Sequence, residues 1–126
     1  MLFRSAGLYF TPISSHSTAE EAAYIVRDCG ARMVASSGAL SEVAAALPAL
    51  APEVSHWFSL DEAFGQFAAW DQATADRPAT PIDDEVGGHN MMYSSGTTGR
   101  PKGIKVPFAN QPIEAVVPVI DRKSVV

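Results

Sequence analysis

Apolar positions along the first seventy residues alternate between two spacings. Gly7 to Ser14, "GLYFTPIS", is rich in aromatic and β-branched residues and predicts a strand. Ala22, Ile25, Val26 and Cys29 then recur at helical spacing and define one apolar face. Two overlapping pairs, Ser17 with Glu20 and Thr18 with Glu21, each fit a capping box at the start of that helix. Gly30 is placed to stop it in a left-handed conformation. "ARMVASSG" predicts a second strand, closed by Ser37-Gly38. "ALSEVAAALPAL" predicts a second helix with Leu40, Val43, Ala44 and Leu47 on its face, terminated by Pro48. His56 to Leu60 predicts a third strand, and Asp61 is placed to cap a third helix through Phe64, Phe67, Ala68 and Trp70.

Strands and helices in strict alternation imply right-handed crossovers and parallel strands, hence an α/β fold. The pattern changes at "TADRPATPIDDEVGG", whose prolines, glycines and acids predict an exposed connection. "HNMMY" and "GIKVP" then predict a strand pair around a loop, the second strand cut short by Pro107. The expected fold is a βαβαβα run (6–72), a linker (73–88) and a strand–loop–strand unit (89–107) that starts the next sheet.

Composition narrows the function classes. With 126 residues there is room for one modest core, and 47% apolar against 18% charged residues argues for a globular chain. The net charge is −5 and the nine Lys and Arg are scattered, which excludes a nucleic-acid surface. One cysteine, Cys29, excludes an internal disulfide framework and suits a reducing compartment. No apolar run is long enough for a transmembrane segment, so the expected location is cytoplasmic. His16, His56, His89 and Cys29 lack metal-ligand spacing. Asp83, Asp84 and Glu85 read as a solvated acidic stretch, because three adjacent carboxylates do not all converge on one ion. Trp57, Phe58, Phe64, Phe67 and Trp70 read as core rather than as an acyl pocket. No Ser-His-Asp arrangement is readable.

The chemistry lies in the loop, "YSSGTTGRPKG". Binding an anion needs inward N–H groups, little side-chain bulk and a compensating positive charge. Gly96, Gly99 and Gly103 allow close backbone approach and positive φ, Ser94, Ser95, Thr97 and Thr98 offer hydroxyls, and Lys102 supplies the charge, with Arg100 as a second cation. The common G-x-x-x-x-G-K-[ST] loop does not fit: Arg100 and Pro101 separate Gly99 from Lys102, and a glycine follows the lysine. The dinucleotide fingerprint is absent as well.

This stretch resembles the signature loop of the adenylate-forming (AMP-binding) enzymes, which include acyl-CoA synthetases, luciferases and peptide-synthetase adenylation domains. Upstream, "AGLYFTPISSHSTAEEAAYIVRDCGARMVASS" resembles the strand–helix–strand of that family's large N-terminal domain, most of all in fatty-acyl-CoA synthetases. The resemblance implies that Ser94, Ser95, Gly96, Thr97, Thr98, Gly99 and Lys102 hold the β- and γ-phosphates of ATP. It implies ATP, magnesium and coenzyme A as cofactors, a carboxylic acid (a fatty acid) as substrate, and a thioester as product. No catalytic residue of the family maps onto this chain. The family's adenine-side glutamate motif, ribose-binding aspartate, hinge and C-terminal catalytic lysine are not matched, and neither Lys105 nor Lys123 has that lysine's surroundings. The expectation is therefore a catalytically inactive part of a multi-sheet N-terminal domain, native over 6–120. Residues 1–5 and 121–126 read as translated sequencing-adapter tips. Two alternatives stay open: a natural truncated nucleotide- or partner-binding protein, and an adenylating ligase with another acceptor.

Overall fold

The computed structural model describes residues 7–80, 83, 86–94 and 100–105. Strand β1 is Tyr9–Phe10, helix α1 is Ala19–Asp28 and strand β2 is Met33–Ser36. A 3-10 turn at Gly38–Leu40 leads into two short helices, α2 (Ser41–Ala44) and α3 (Leu47–Leu50). Strands β3 (His56–Ser59) and β4 (Ala68–Ala69), helix α4 (Trp70–Thr74), and strands β5 (His89–Ser94) and β6 (Lys102–Lys105) follow. The fold is mixed α/β with parallel strands.

The strands form two three-stranded sheets, ordered β1-β5-β6 and β2-β3-β4. β2, β3 and β4 are all parallel; Val34 is opposite Trp57, and Phe58 opposite Ala68. β1 is parallel to β5, with Tyr9 opposite His89, whereas β5 and β6 are antiparallel. The first strand thus leaves the run that follows it and joins the loop-bearing pair. A backbone bond from the Gly7 N–H to the Val86 carbonyl (2.8 Å) extends this join, and Gly7 has φ +65°.

Helix α1 is held at both ends by its own sequence. The Glu21 N–H donates to Thr18 Oγ1 (3.3 Å), and the Thr18 N–H donates to the Glu21 carboxylate (2.8 Å). Of the two candidate boxes, the chain therefore uses the second. At the other end Gly30 has φ +68°, its N–H donates to Arg27, and that of Ala31 donates to Val26. These are the paired bonds of a Schellman motif. Ala22, Ala23 and Val26 are buried against Leu47 and Ala51 of the second helical stretch and against Val34 and Trp57 of the β2-β3 sheet.

Several predicted elements differ. The strand expected over Gly7 to Ser14 shrinks to Tyr9–Phe10. Pro48 does not end a continuous second helix. The break falls before it, and Pro48 sits in the first turn of α3, where a missing N–H costs nothing. The third helix expected from Asp61 is absent. Phe64 and Phe67 exchange backbone bonds (3.1 and 2.7 Å) around Gly65, whose φ is +50°. Glycine at the first central position is what a two-residue hairpin turn requires, and this local preference overrides the helical spacing of Phe64, Phe67 and Ala68. Asp61 instead accepts a bond from the Gly38 N–H at 2.8 Å. The aromatic residues pack on one another as a core would: Phe67 is buried against Trp57 and Phe64, and Phe58 meets Trp70 edge-on. The connection is exposed over 75–80.

Candidate functional site

The loop is carried by a hairpin. β5 reads "HNMMYS", and β6, "KGIK", returns antiparallel beside it. The register pairs Met92 with Ile104, Tyr93 with Gly103, and Ser94 with Lys102. Ser94 and Lys102 therefore face each other at the mouth of the loop, and the Ser94 hydroxyl donates to the Lys102 carbonyl at 3.4 Å. Both residues are exposed. Directly opposed residues project from the same face of a sheet, so the Ser94 and Lys102 side chains leave the same face where the chain enters and leaves the turn. Ser95, Gly96, Thr97, Thr98 and Gly99 lie outside the described residues, as does Pro107.

Gly103 does not take the positive φ expected of it; among the described residues only Gly7, Gly30 and Gly65 do. Its lack of a side chain has a different use. A Cβ there would stand 2.7 Å from Met91 Cε and 2.9 Å from Tyr93 Cζ, so the Tyr93 ring lies across the space that a side chain would fill.

That ring reaches the preceding helix. The Tyr93 hydroxyl donates to the Asp28 carboxylate at 2.6 Å. Partial burial, and then the bond to Asp28 and its charge, push the Tyr93 phenol well above its ordinary range, so it remains a protonated donor. On the far leg, the Tyr24 hydroxyl donates to the Pro101 carbonyl at 3.3 Å, and the Arg100 guanidinium lies 5.2 Å from the centre of the Tyr24 ring. Arg100, expected as a second phosphate cation, is thus engaged with α1. Glu20, Glu21, Tyr24, Arg27, Arg100 and Pro101 line a groove of about 270 Å³ between helix and hairpin. The Lys105 ammonium lies 4.6 Å from the Tyr9 ring centre.

Tyr24, Asp28 and Tyr93 stand outside the candidate site residues that the sequence marks. One signal was present: Tyr24 and Asp28 are four apart on the helix, so they share a stripe on the side away from Ala22 and Val26. What that stripe faces was not readable. Among the described residues, no three His, Cys, Asp or Glu side chains gather as a metal site would require. Cys29 is half-buried, its thiol directed at the Val26 carbonyl, as a small packing residue would be. No helix among the described residues is long and apolar enough to cross a membrane.

The family profile described as AMP-binding enzyme matches residues 4–119. The chain belongs to the AMP-binding enzyme family. This AMP-binding chain is 33% identical over 104 residues to a long-chain-fatty-acid–CoA ligase of Mycobacterium tuberculosis, covering 78% of this chain and 19% of that protein. It is 32% identical over 107 residues to a fatty acid–[acyl-carrier-protein] ligase of Streptomyces coeruleorubidus, covering 79% of this chain and 18% of that one. It is also 31% identical over 103 residues to malpibaldin synthetase of Mortierella alpina, covering 80% of this chain and 2% of that protein. The chain spans less than a fifth of the length of each of these relatives.

Proposed function

We propose that this chain is the phosphate-loop segment of an ATP-dependent acyl-activating ligase, with a fatty acid as the acid substrate. In the proposed reaction a carboxylate oxygen attacks the α-phosphorus of ATP. The bond from that phosphorus to the bridging oxygen breaks, giving an acyl-adenylate and pyrophosphate. The thiol of coenzyme A then attacks the acyl carbon, loses its proton, and displaces AMP to leave a thioester. The observation that carries the reading is the pairing of Ser94 with Lys102 across the mouth of the hairpin.

That arrangement suits a leaving pyrophosphate. The Lys102 ammonium at the loop's exit would neutralise the charge that grows on the departing oxygens, while the Ser94 hydroxyl braces the Lys102 backbone beside it. Ser95, Gly96, Thr97, Thr98 and Gly99 are proposed to complete the cradle, with backbone N–H groups and hydroxyls closing around the β- and γ-phosphates. Magnesium would be bound through phosphate oxygens.

Replacing Lys102 with alanine in the full-length enzyme tests this. ATP–pyrophosphate exchange is expected to fall about 100-fold, the scale of losing one preorganised donor, while thioester formation from pre-made acyl-adenylate is retained. Equal losses in both half-reactions count against the assignment. A second reading keeps the first half-reaction and transfers the acyl group to a carrier-protein thiol. It is favoured by the fatty acid–[acyl-carrier-protein] ligase, which is as similar to this chain as the CoA ligase is. Supplying the isolated adenylate with coenzyme A or with a carrier protein separates the two.

A further inference from the structure

Helix α1 touches both legs of the hairpin. Tyr93, the second-last residue of β5, is bonded to Asp28, and Arg100 and Pro101, just before β6, meet Tyr24. Tyr24 and Asp28 are one helical turn apart, so a single stripe of α1 contacts the entry and the exit of the loop. We propose that Tyr24 and Asp28 are positioning residues: they fasten the phosphate hairpin to α1 and so set the loop for the pyrophosphate-releasing half-reaction. This rests on the function proposed above.

The need for such a fastening is visible in the sheet. Among the described residues β6 is an edge strand, its only strand neighbour is β5, and all four of its residues are exposed. A two-stranded ribbon without further support is marginally stable in water. β1 supports only the beginning of β5, at His89 and Asn90, far from the loop. At the loop end the hairpin therefore has no strand beneath it among the described residues, and the α1 contacts supply the support. The helix is a rigid base for this purpose. Its two ends are capped by its own residues, and Ala22, Ala23 and Val26 anchor its opposite side in the core.

Gly103 belongs to the same device. It lies opposite Tyr93, and only a glycine there leaves room for the phenol ring to cross toward Asp28. The hydroxyl of Tyr93 is the bond-forming group, so Tyr93→Phe removes the first of the two contacts and keeps the ring. Arg100 closes the second contact by lying on the Tyr24 ring, a cation–π arrangement that fixes the residue following Gly99 in the sequence.

The consequence is specific to one half-reaction. Positioning of a phosphate cradle matters while pyrophosphate is leaving, and it does not matter once the adenylate is formed. A small displacement of preorganised donors is enough to slow the first step. The experiment uses the full-length ligase with Tyr93→Phe, Asp28→Ala, Asp28→Asn and Tyr24→Ala, each assayed in three ways. These are ATP–pyrophosphate exchange, thioester formation from pre-made adenylate, and thermal melting. Tyr93→Phe and Asp28→Ala are each expected to lower exchange about tenfold, the loss of one charge-assisted hydrogen bond, with the second half-reaction unchanged. Asp28→Asn keeps an acceptor oxygen and is expected to restore most of the exchange. Tyr93→Phe combined with Asp28→Ala is expected to be no worse than either alone, since both remove the same bond.

Equal losses in the two half-reactions that track a lower melting temperature would overturn the proposal and leave Tyr24 and Asp28 as stability residues. Unchanged exchange in all four variants would also overturn it. Lys102→Ala, run in parallel, separates this failure from failure of the underlying reading. A selective Lys102 effect with neutral α1 variants defeats only the fastening. No selective Lys102 effect defeats the phosphate-loop assignment itself.

Discussion

At the scale of single residues, Gly103 and Tyr93 are a matched pair. Gly103→Ala puts a methyl group within 3 Å of the Tyr93 ring, and the ring, unlike the mobile end of Met91, has no easy way to yield. The variant is expected to lose about 1–3 kcal/mol in urea unfolding, the range for forcing one extra methyl into a filled space. It is also expected to resemble Tyr93→Phe, because a displaced ring no longer reaches Asp28. The Tyr93 bond carries a pH signature. Its phenol is raised in the folded chain, so the stabilisation it provides is complete below the unfolded tyrosine pKa of about 10 and is lost as pH rises beyond it. The difference in unfolding free energy between the native chain and Tyr93→Phe should be about 1 kcal/mol, discounted for an exposed bond, and flat from pH 7 to about 9. It should shrink above pH 10. A difference that grows with pH would contradict the assigned proton.

Helix α1 is the element on which the hairpin depends, and its caps were largely legible in the chain. Thr18, Glu21 and Gly30 are local signals, satisfied within a few residues of themselves, so the structure had little freedom to contradict them. Thr18→Ala should cost about 1 kcal/mol and should raise hydrogen exchange first at the amides of Glu21 and its neighbours. If exchange across α1 is unchanged, the cap contributes nothing measurable. The two helices that did not form as expected show the limit of periodicity. Leu40, Val43, Ala44 and Leu47 do fall on a helical spacing, but the chain turns at Ala45–Ala46 and restarts with Pro48 in its first turn. Phe64, Phe67 and Ala68 mimic helical spacing too, yet Gly65 directs a tight turn and delivers Ala68–Ala69 as a strand beside β3. In a short segment, one glycine with a positive φ outweighs three apolar positions.

Across the whole molecule, the hairpin that bears Lys102 and Ser94 also bears exposed apolar side chains. Met92 and Ile104 stand opposite each other, 48% and 62% exposed, and Leu8 is 46% exposed. β6 is an edge strand among the described residues, with Lys102 and Lys105 at its two ends as the kind of charge that discourages edge-to-edge pairing. An exposed apolar pair beside such an edge is expected to make the isolated chain associate. Met92→Lys together with Ile104→Lys should lower light scattering at a fixed concentration; unchanged scattering would place the association elsewhere.

The sequence by itself determined what is local or compositional. The α/β alternation, the capped helix, the unusual glycine- and hydroxyl-rich loop and its lysine are all written within short windows, where spacing and residue type suffice. The family followed from that loop and the strand–helix–strand before it. Tertiary structure alone decided the long-range pairings. It placed β1 beside β5 rather than beside β2, which no local preference encodes, because strand partners are chosen by the whole packing. It brought Asp28 to Tyr93 across 65 positions and Tyr24 to Pro101 across 77. Residues that far apart are invisible to periodicity, and their meeting depends on the helix being held between a sheet on one side and a hairpin on the other.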